Sequence, residues 1–279
     1  MATVVGAPLL QANVTGDRVF LSFATSPGGP MGIWDASSPN HFTTSGASES
    51  SNDLAVASDG TMFATFAANN AEIRGSDLIL QSTLASPELE RIPGRVSVPG
   101  MTLHPSGSLI YQPFLTGPAP PESPNPPPNP SLRGGIDVLD AHSGRLRLRI
   151  MLPEPFAMRD TDIDGLHGGF LTVDENGQRI FALTASGLTI VQLANVPLGI
   201  GTLSLAVGPA TGGTLVTIRG SGFQSGTTVT IGGKLASATC KDINTLAVVI
   251  PALTPGPQQI VITNPDGETA ALDDAITTS

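Results

Sequence analysis

The sequence predicts an all-β chain in two parts. Three observations carry this: 32 glycines and 25 prolines spread along the 279 residues, a turn-then-strand pattern that recurs over about residues 10–200, and a different pattern after Leu203. Abundant Gly and Pro suit many short strands joined by tight turns and leave little room for long helices. With 40% hydrophobic residues the chain can bury a substantial core, so folded structure rather than disorder is the expectation.

The first part is a repeat. Gly16, Gly60, Gly107 and Gly177 each open an apolar strand, as in Val19-Phe20-Leu21, Met62-Phe63-Ala64, Leu109-Ile110-Tyr111 and Ile180-Phe181-Ala182. Three of the glycines close similar turns, Ser58-Asp59-Gly60, His104-Pro105-Ser106-Gly107 and Asp174-Glu175-Asn176-Gly177. A second apolar strand follows each time: Gly32-Ile33-Trp34-Asp35, Asp77-Leu78-Ile79-Leu80, Ile136-Asp137-Val138-Leu139-Asp140 and Gly187-Leu188-Thr189-Ile190-Val191. The glycines are 44, 47 and 70 residues apart, and the long interval contains the proline-dominated stretch 117–133. Proline offers no N–H to a ladder, so that stretch is expected to be an extended surface insertion.

A period in the forties with several strands per unit points to propeller blades, because one small sheet cannot bury both faces until neighbours stack on it. The units resemble YVTN/NHL-type β-propeller repeats, in which a Pro-Asp-Gly-like turn leads into an apolar strand and then a Val-x-Val-x-Asp strand. Ile136-Asp137-Val138-Leu139-Asp140 followed by His142-Ser143-Gly144 is the nearest match. Only about four blades are legible, so the fold class expected is a partial β-propeller. The count favours a C-terminal piece of a longer protein over a self-contained four-bladed or associating form. An open arc exposes strand edges and an apolar blade face, and self-association through them is one expected consequence.

After Leu203 strands alternate with turns about every ten residues, as in a β-sandwich. The stretch 204–279 resembles an IPT/TIG domain, an immunoglobulin-like module. The residues that carry the resemblance are Pro209 with Gly212-Gly213, then Gly220-Ser221-Gly222-Phe223, Gly232-Gly233 and Asn264-Pro265-Asp266-Gly267. The glycines suit backbone at positive φ, and Phe223 is expected to plug the core. The boundaries expected are propeller-like repeats over 1–200, a short linker 195–201, and the sandwich over 204–279.

Charge and cysteine content exclude several classes. With 13 Lys+Arg against 23 Asp+Glu the formal net charge is -10, which repels a phosphate backbone, so no nucleic-acid partner is expected. The single cysteine, Cys240, permits no intrachain disulfide and no multi-cysteine metal site, and a buried, inert thiol is the expectation. No run of about 18 apolar residues occurs, so no membrane insertion is expected, and Met1-Ala2-Thr3-Val4-Val5 does not read as an export signal.

The sharpest candidate for chemistry is Asp160-Thr161-Asp162-Ile163-Asp164-Gly165, which has the first half of a calcium loop. Asp160, Asp162 and Asp164 would be the ligands. The twelfth position is Leu171 where a bidentate Glu is required, so a plain acidic loop is favoured over a weak Ca2+ site, and no other cofactor is expected. His41, His104, His142 and His167 have no partner at metal-ligand spacing and read as hydrogen-bonded turn histidines. No Gly-x-Ser-x-Gly elbow or phosphate-cradling loop is present, so no catalytic residue is assigned. Aromatic residues make up only 4%, too few for a carbohydrate-stacking platform. The resemblances imply a non-catalytic binding, adhesion or display module of a secreted or cell-surface bacterial protein, with a protein or glycan partner. The alternative is a propeller-type hydrolase or lyase with its site near residues 160–167.

Overall fold

The computed structural model describes residues 8–23, 29–49, 53–58, 60, 62–67, 70–84, 96–98, 100–117, 132–157 and 170–279. The Asp160–Asp164 loop and His167 lie outside these residues, as do most of the proline-rich stretch and the first seven residues.

Four antiparallel sheets follow one another along the chain. Blade 1 comprises β1 (Pro8–Ala12), β2 (Arg18–Phe23), β3 (Gly29–Asp35) and β4 (Phe42–Glu49), and blade 2 comprises β5 (Asp53–Val56), β6 (Met62–Ala67), β7 (Asn70–Gly75) and β8 (Leu80–Leu84). Blade 3 holds β10 (Thr102–Leu103), β11 (Leu109–Thr116), β12 (Arg133–Asp140) and β13 (Leu146–Met151), with the short β9 (Val96–Ser97) also on β11. Blade 4 holds β14 (Leu171–Val173), β15 (Arg179–Thr184) and β16 (Gly187–Gln192), so among the described residues it lacks the fourth strand the other three possess. Their innermost strands β1, β5, β10 and β14 lie side by side in that order, and no comparable contact joins β14 back to β1 among the described residues. The repeat units therefore fold as an arc of four propeller blades.

The anchor glycines explain the recurrence. Gly16, Gly60, Gly107 and Gly177 have φ between 69° and 75°, the left-handed region where a Cβ is penalised. Each ends the tight turn between the first and second strands of its blade. Neighbouring turns are stitched together by backbone bonds, Val14 N–H to Ser58 O and Ser58 N–H to Pro105 O. The aspartate that closes the third strand has a similar local role. Asp140 Oδ1 accepts from the Ser143 N–H and hydroxyl, at 2.8 Å each, and so shapes the turn into β13. Asp35 accepts from the Ser37 N–H and hydroxyl in the corresponding turn of blade 1.

Period-two alternation sends successive side chains to opposite neighbours. Phe20, Met31 and Ile33 of blade 1 meet Leu54, Val56 and Leu78 of blade 2. Ala55, Ala57 and Ile73 turn the other way, onto Met101, Leu103, Ile110 and Leu139 of blade 3. Leu109, Tyr111, Ile136 and Val138 of blade 3 then meet Leu171, Ile180 and Ala182 of blade 4. Each blade thus has one face toward the blade before it and one toward the blade after it.

The remainder is a sandwich built from β17 (Gly199–Leu203), β18 (Val207–Gly208), β19 (Leu215–Ser221), β20 (Thr228–Ile231), β21 (Lys234–Asp242), β22 (Thr245–Val249), β23 (Gly256–Thr263) and β24 (Thr269–Thr278). The long β21 pairs with β20 through Leu235 and Ala236 and with β22 from Ser237 onward, so it belongs to both layers. Val216, Ile218, Val229, Ile231, Leu246, Val248, Ile260, Ile262 and Ile276 fill the space between them. Phe223 is 2% exposed and plugs this core as expected. Cys240 packs against the core but is only half-buried, and burial pushes its thiol pKa up, which disfavours the reactive thiolate.

One expectation needs adjusting at the junction. The segment 195–201 does not run as a linker between modules: β17 begins at Gly199, and Gly199 and Ile200 pair with Ser221 and Gly220 of β19. Val196 belongs to the core between blades 3 and 4, while Leu198 belongs to the core of the sandwich. No spacer separates the two cores, because the residue on either side of Pro197 is already buried in one of them.

Candidate functional site

Of the four histidines, the three described ones sit in blade turns. His41 Nδ1 lies 3.2 Å from Asp35 O, His104 Nδ1 lies 2.8 Å from Ser106 Oγ, and His142 Nε2 lies 3.3 Å from Gly201 O. His104 and His142 both border the segment at Gly201, which approaches Ser106, while His41 lies in a turn of blade 1. Among the described residues no group of three His, Cys, Asp or Glu side chains could hold a metal ion. The Asp160, Asp162 and Asp164 candidate lies outside the described residues.

What the structure does build is a buried polar seam between the blades and the sandwich. Ser106 Oγ donates to Ser108 Oγ at 2.9 Å, Ser108 Oγ donates to Ser221 Oγ at 2.8 Å, and Ser221 Oγ donates to Pro197 O at 2.9 Å. His104 adjoins this relay through Ser106, and all four of these side chains are buried. Fully satisfied buried hydroxyls fix geometry, because any displacement strands a polar group away from water. Around the relay, Asn244 Nδ2 donates to Glu175 O at 3.1 Å, and Arg147 bridges from Asp140 to Thr269 O at 2.8 and 2.9 Å. Burial opposes ionisation of Asp140, yet its bonds from Arg147 and Ser143 hold the carboxyl below its ordinary pKa. Every one of these blade residues lies in or beside a first-to-second or third-to-fourth strand turn, Arg147 being the second residue of β13. The sandwich therefore docks on one rim of blades 3 and 4.

The seam was not legible as such. Ser106 and Ser108 flank an anchor glycine and Ser221 lies within Gly220-Ser221-Gly222, so all three read as turn and bulge residues. Their only signal was small hydroxyls in two turns that the glycine pattern had already explained.

His104 gives this junction a pH dependence. Burial, with the nearby Arg219 charge acting in the same direction, holds its imidazole down to about 4 against the pull of Asn176 and Asp174. Its folded pKa lies below the ordinary 6.5, so between pH 6.5 and 4 the unfolded chain binds more protons. The stability this group contributes is complete above 6.5 and is lost as pH falls toward 4, by about 3 kcal/mol in total. Asp53 acts oppositely: burial raises its carboxyl to about 7 although the Leu54, Gly100 and Met101 N–H groups point at it. Its contribution is complete below about 4 and is lost as pH rises through 7. Urea unfolding of wild type and His104→Gln at several pH values separates the two groups. The wild type is expected to lose stability relative to the variant as pH falls from 6.5 to 4.

Residues 198–277 match the IPT/TIG domain family, which makes the sandwich an IPT/TIG domain and moves its start ahead of Ser204. Among solved structures the chain is similar to the β-propeller domain of Myceliophteria thermophila Cps50 (Swd1), 14% identical over 97% of this chain and 87% of that one, with a TM-score of 0.41. It is also similar to the C-terminal WD40 domain of Sif2, 13% identical over 95% of this chain and 66% of that one, with a TM-score of 0.38. An auxiliary nutrient binding protein from Bacteroides thetaiotaomicron VPI-5482 is 25% identical over 30% of this chain, with a TM-score of 0.26; the matched part is 21% of that protein. No curated protein matches the chain.

Proposed function

We propose that the chain is a rigid, non-catalytic binding or display module of a secreted or cell-surface bacterial protein, with a protein or glycan as partner. The observation that carries this reading is the seam. A satisfied relay of buried hydroxyls, with no spacer between the two cores, holds the IPT/TIG domain at a fixed place on the rim of blades 3 and 4. Such a joint suits a scaffold that presents a composite surface and does not suit two domains that close on a substrate. Nucleic acid is not among the partners proposed, given the net charge of -10.

The immobilised full chain is expected to bind saturably, at micromolar concentration, to a member of a panel of bacterial surface polysaccharides or to a purified surface protein. It is expected to leave p-nitrophenyl esters, p-nitrophenyl glycosides and uronate polysaccharides unchanged. Turnover that vanishes in Asp162→Ala or His167→Ala at an unchanged melting temperature would replace this reading with the hydrolase or lyase alternative near residues 160–167.

A further inference from the structure

Two buried polar atoms of blade 3 share the space beneath the anchor turn of blade 4. His104 Nε2 and Tyr111 Oη belong to side chains that are fully buried, and neither atom has a hydrogen-bond partner among the described residues. His104 comes from the first-to-second strand turn of its blade. Its Nδ1 lies 2.8 Å from Ser106 Oγ and 3.2 Å from the Ser106 N, so the other nitrogen is the one left to face blade 4. Tyr111 comes from β11, with its ring in the core that blades 3 and 4 share. Opposite both stands Gly177, with φ 69°. A Cβ at that position would fall 2.6 Å from Nε2 and 3.0 Å from Oη.

Stranding either atom away from water is costly, and no direct hydrogen bond joins them. Their separation is nonetheless capped. The two distances to the Gly177 position, 2.6 and 3.0 Å, add to 5.6 Å, and the atoms can be no farther apart than that sum. This limit is twice the roughly 2.8 Å length of a hydrogen bond to oxygen, the span that one intervening water bridges. The chemistry also suits water. The phenol can donate or accept, whereas Nε2 accepts when the ring proton is on Nδ1 and donates when it is not. Only a group that both donates and accepts serves Nε2 in either tautomer. The Asn176 backbone, which draws His104 toward protonation without making a bond that satisfies Nε2, brings a further acceptor to the same place. Two to four polar partners are what a buried water requires.

We propose that this place is a binding site for one internal water, which bridges Tyr111 Oη to His104 Nε2 beneath the Gly177 turn. The water lengthens the seam. From Pro197 O the hydrogen-bonded chain runs through Ser221, Ser108, Ser106 and His104, and the water carries it on to Tyr111 at the face of blade 4. The site also gives position 177 a second reason to be glycine besides its positive φ, since a side chain there would strike both partners of the water. The proposal is independent of what the module binds.

A crystal structure of the full chain, at a resolution that shows ordered water, is expected to place one water within about 3.2 Å of both Oη and Nε2. Tyr111→Phe supplies a second readout, whose sign separates a bridged hydroxyl from a stranded one. A bridged hydroxyl is a working hydrogen bond, so its removal should raise the unfolding equilibrium constant, followed in urea, about five-fold. A stranded hydroxyl gives the opposite result, because phenylalanine keeps the ring and takes away an unpaired polar group, which leaves the variant as stable as wild type or more so. A crystal structure with no water at this place, a direct bond from Oη to Nε2, or a Tyr111→Phe chain at least as stable as wild type would each overturn the proposal.

Discussion

Arg149→Leu is expected to lower the stability of the chain by about 3–5 kcal/mol. Arg149 grips Asp137 with two nitrogens, Nε to Oδ1 at 2.6 Å and Nη2 to Oδ2 at 3.2 Å, and its guanidinium lies over the Phe114 ring, 5.6 Å from the centroid. Asp137 is fully buried on β12 while a quarter of the Arg149 side chain remains exposed. The cost is therefore asymmetric. Removing the arginine leaves a carboxylate in the interior of blade 3 without its guanidinium, which is far worse than losing the net worth of the pair. Asp137→Asn in the Arg149→Leu background should recover about half of the loss. Urea unfolding followed by far-ultraviolet circular dichroism checks both, and equal effects of the single and double variants would show that the buried charge is not the cause.

Gly201→Ala is expected to have the second-largest effect, and to act on the junction rather than on either core. A Cβ at position 201 would stand 2.0 Å from Ser106 O and 3.0 Å from Arg219 O. Both obstacles are backbone, so no rotamer change relieves the clash, and the cost lies at or beyond the upper end of the 1–3 kcal/mol typical of overpacking. The blades can escape only by moving away from the sandwich, which breaks the relay from Ser106 through Ser108 to Ser221. The expected signature is a single thermal transition splitting into two, with new proteolytic cleavage between Gln192 and Leu203. A variant that melts in one transition at the wild-type temperature would mean that the junction does not depend on this close approach.

The legible and illegible parts of the sequence differ in physical kind. The anchor glycines were legible because positive φ restricts residue choice within a single turn, so Gly16, Gly60, Gly107 and Gly177 reveal themselves without any partner. The sandwich was legible for the same reason, through Gly212-Gly213, Gly222 and Gly232-Gly233, all at positive φ. Alternation also forecast that an open arc would leave an apolar blade face uncovered. It could not say which side chains, because Trp34 and Leu139 look alike until a neighbouring blade is seen over one and not the other. The segment 195–201 read as a linker because its start, Asn195-Val196-Pro197, has neither a turn signature nor alternation. Its strand forms only because Gly199 and Gly201 let the backbone slip between Ser106, Ser108 and β19. The seam was illegible because its meaning lies in Ser108 meeting Ser221, residues 113 positions apart.

The ladder at the end of the sandwich has a mechanical consequence. Val207 and Gly208 of β18 run parallel to Thr277 and Thr278 of β24, tied by Thr277 N–H to Ala206 O, Ser279 N–H to Gly208 O and Ala210 N–H to Ser279 O. Tension applied between the blades and Ser279 pulls these two strands past each other lengthwise. The bonds are then strained together in shear and cannot be peeled apart singly, so a load reaches the hydrophobic interior only after all of them have given way. A module anchored through its last strand would thus hold its cargo against drag with the portion of the fold nearest the tether.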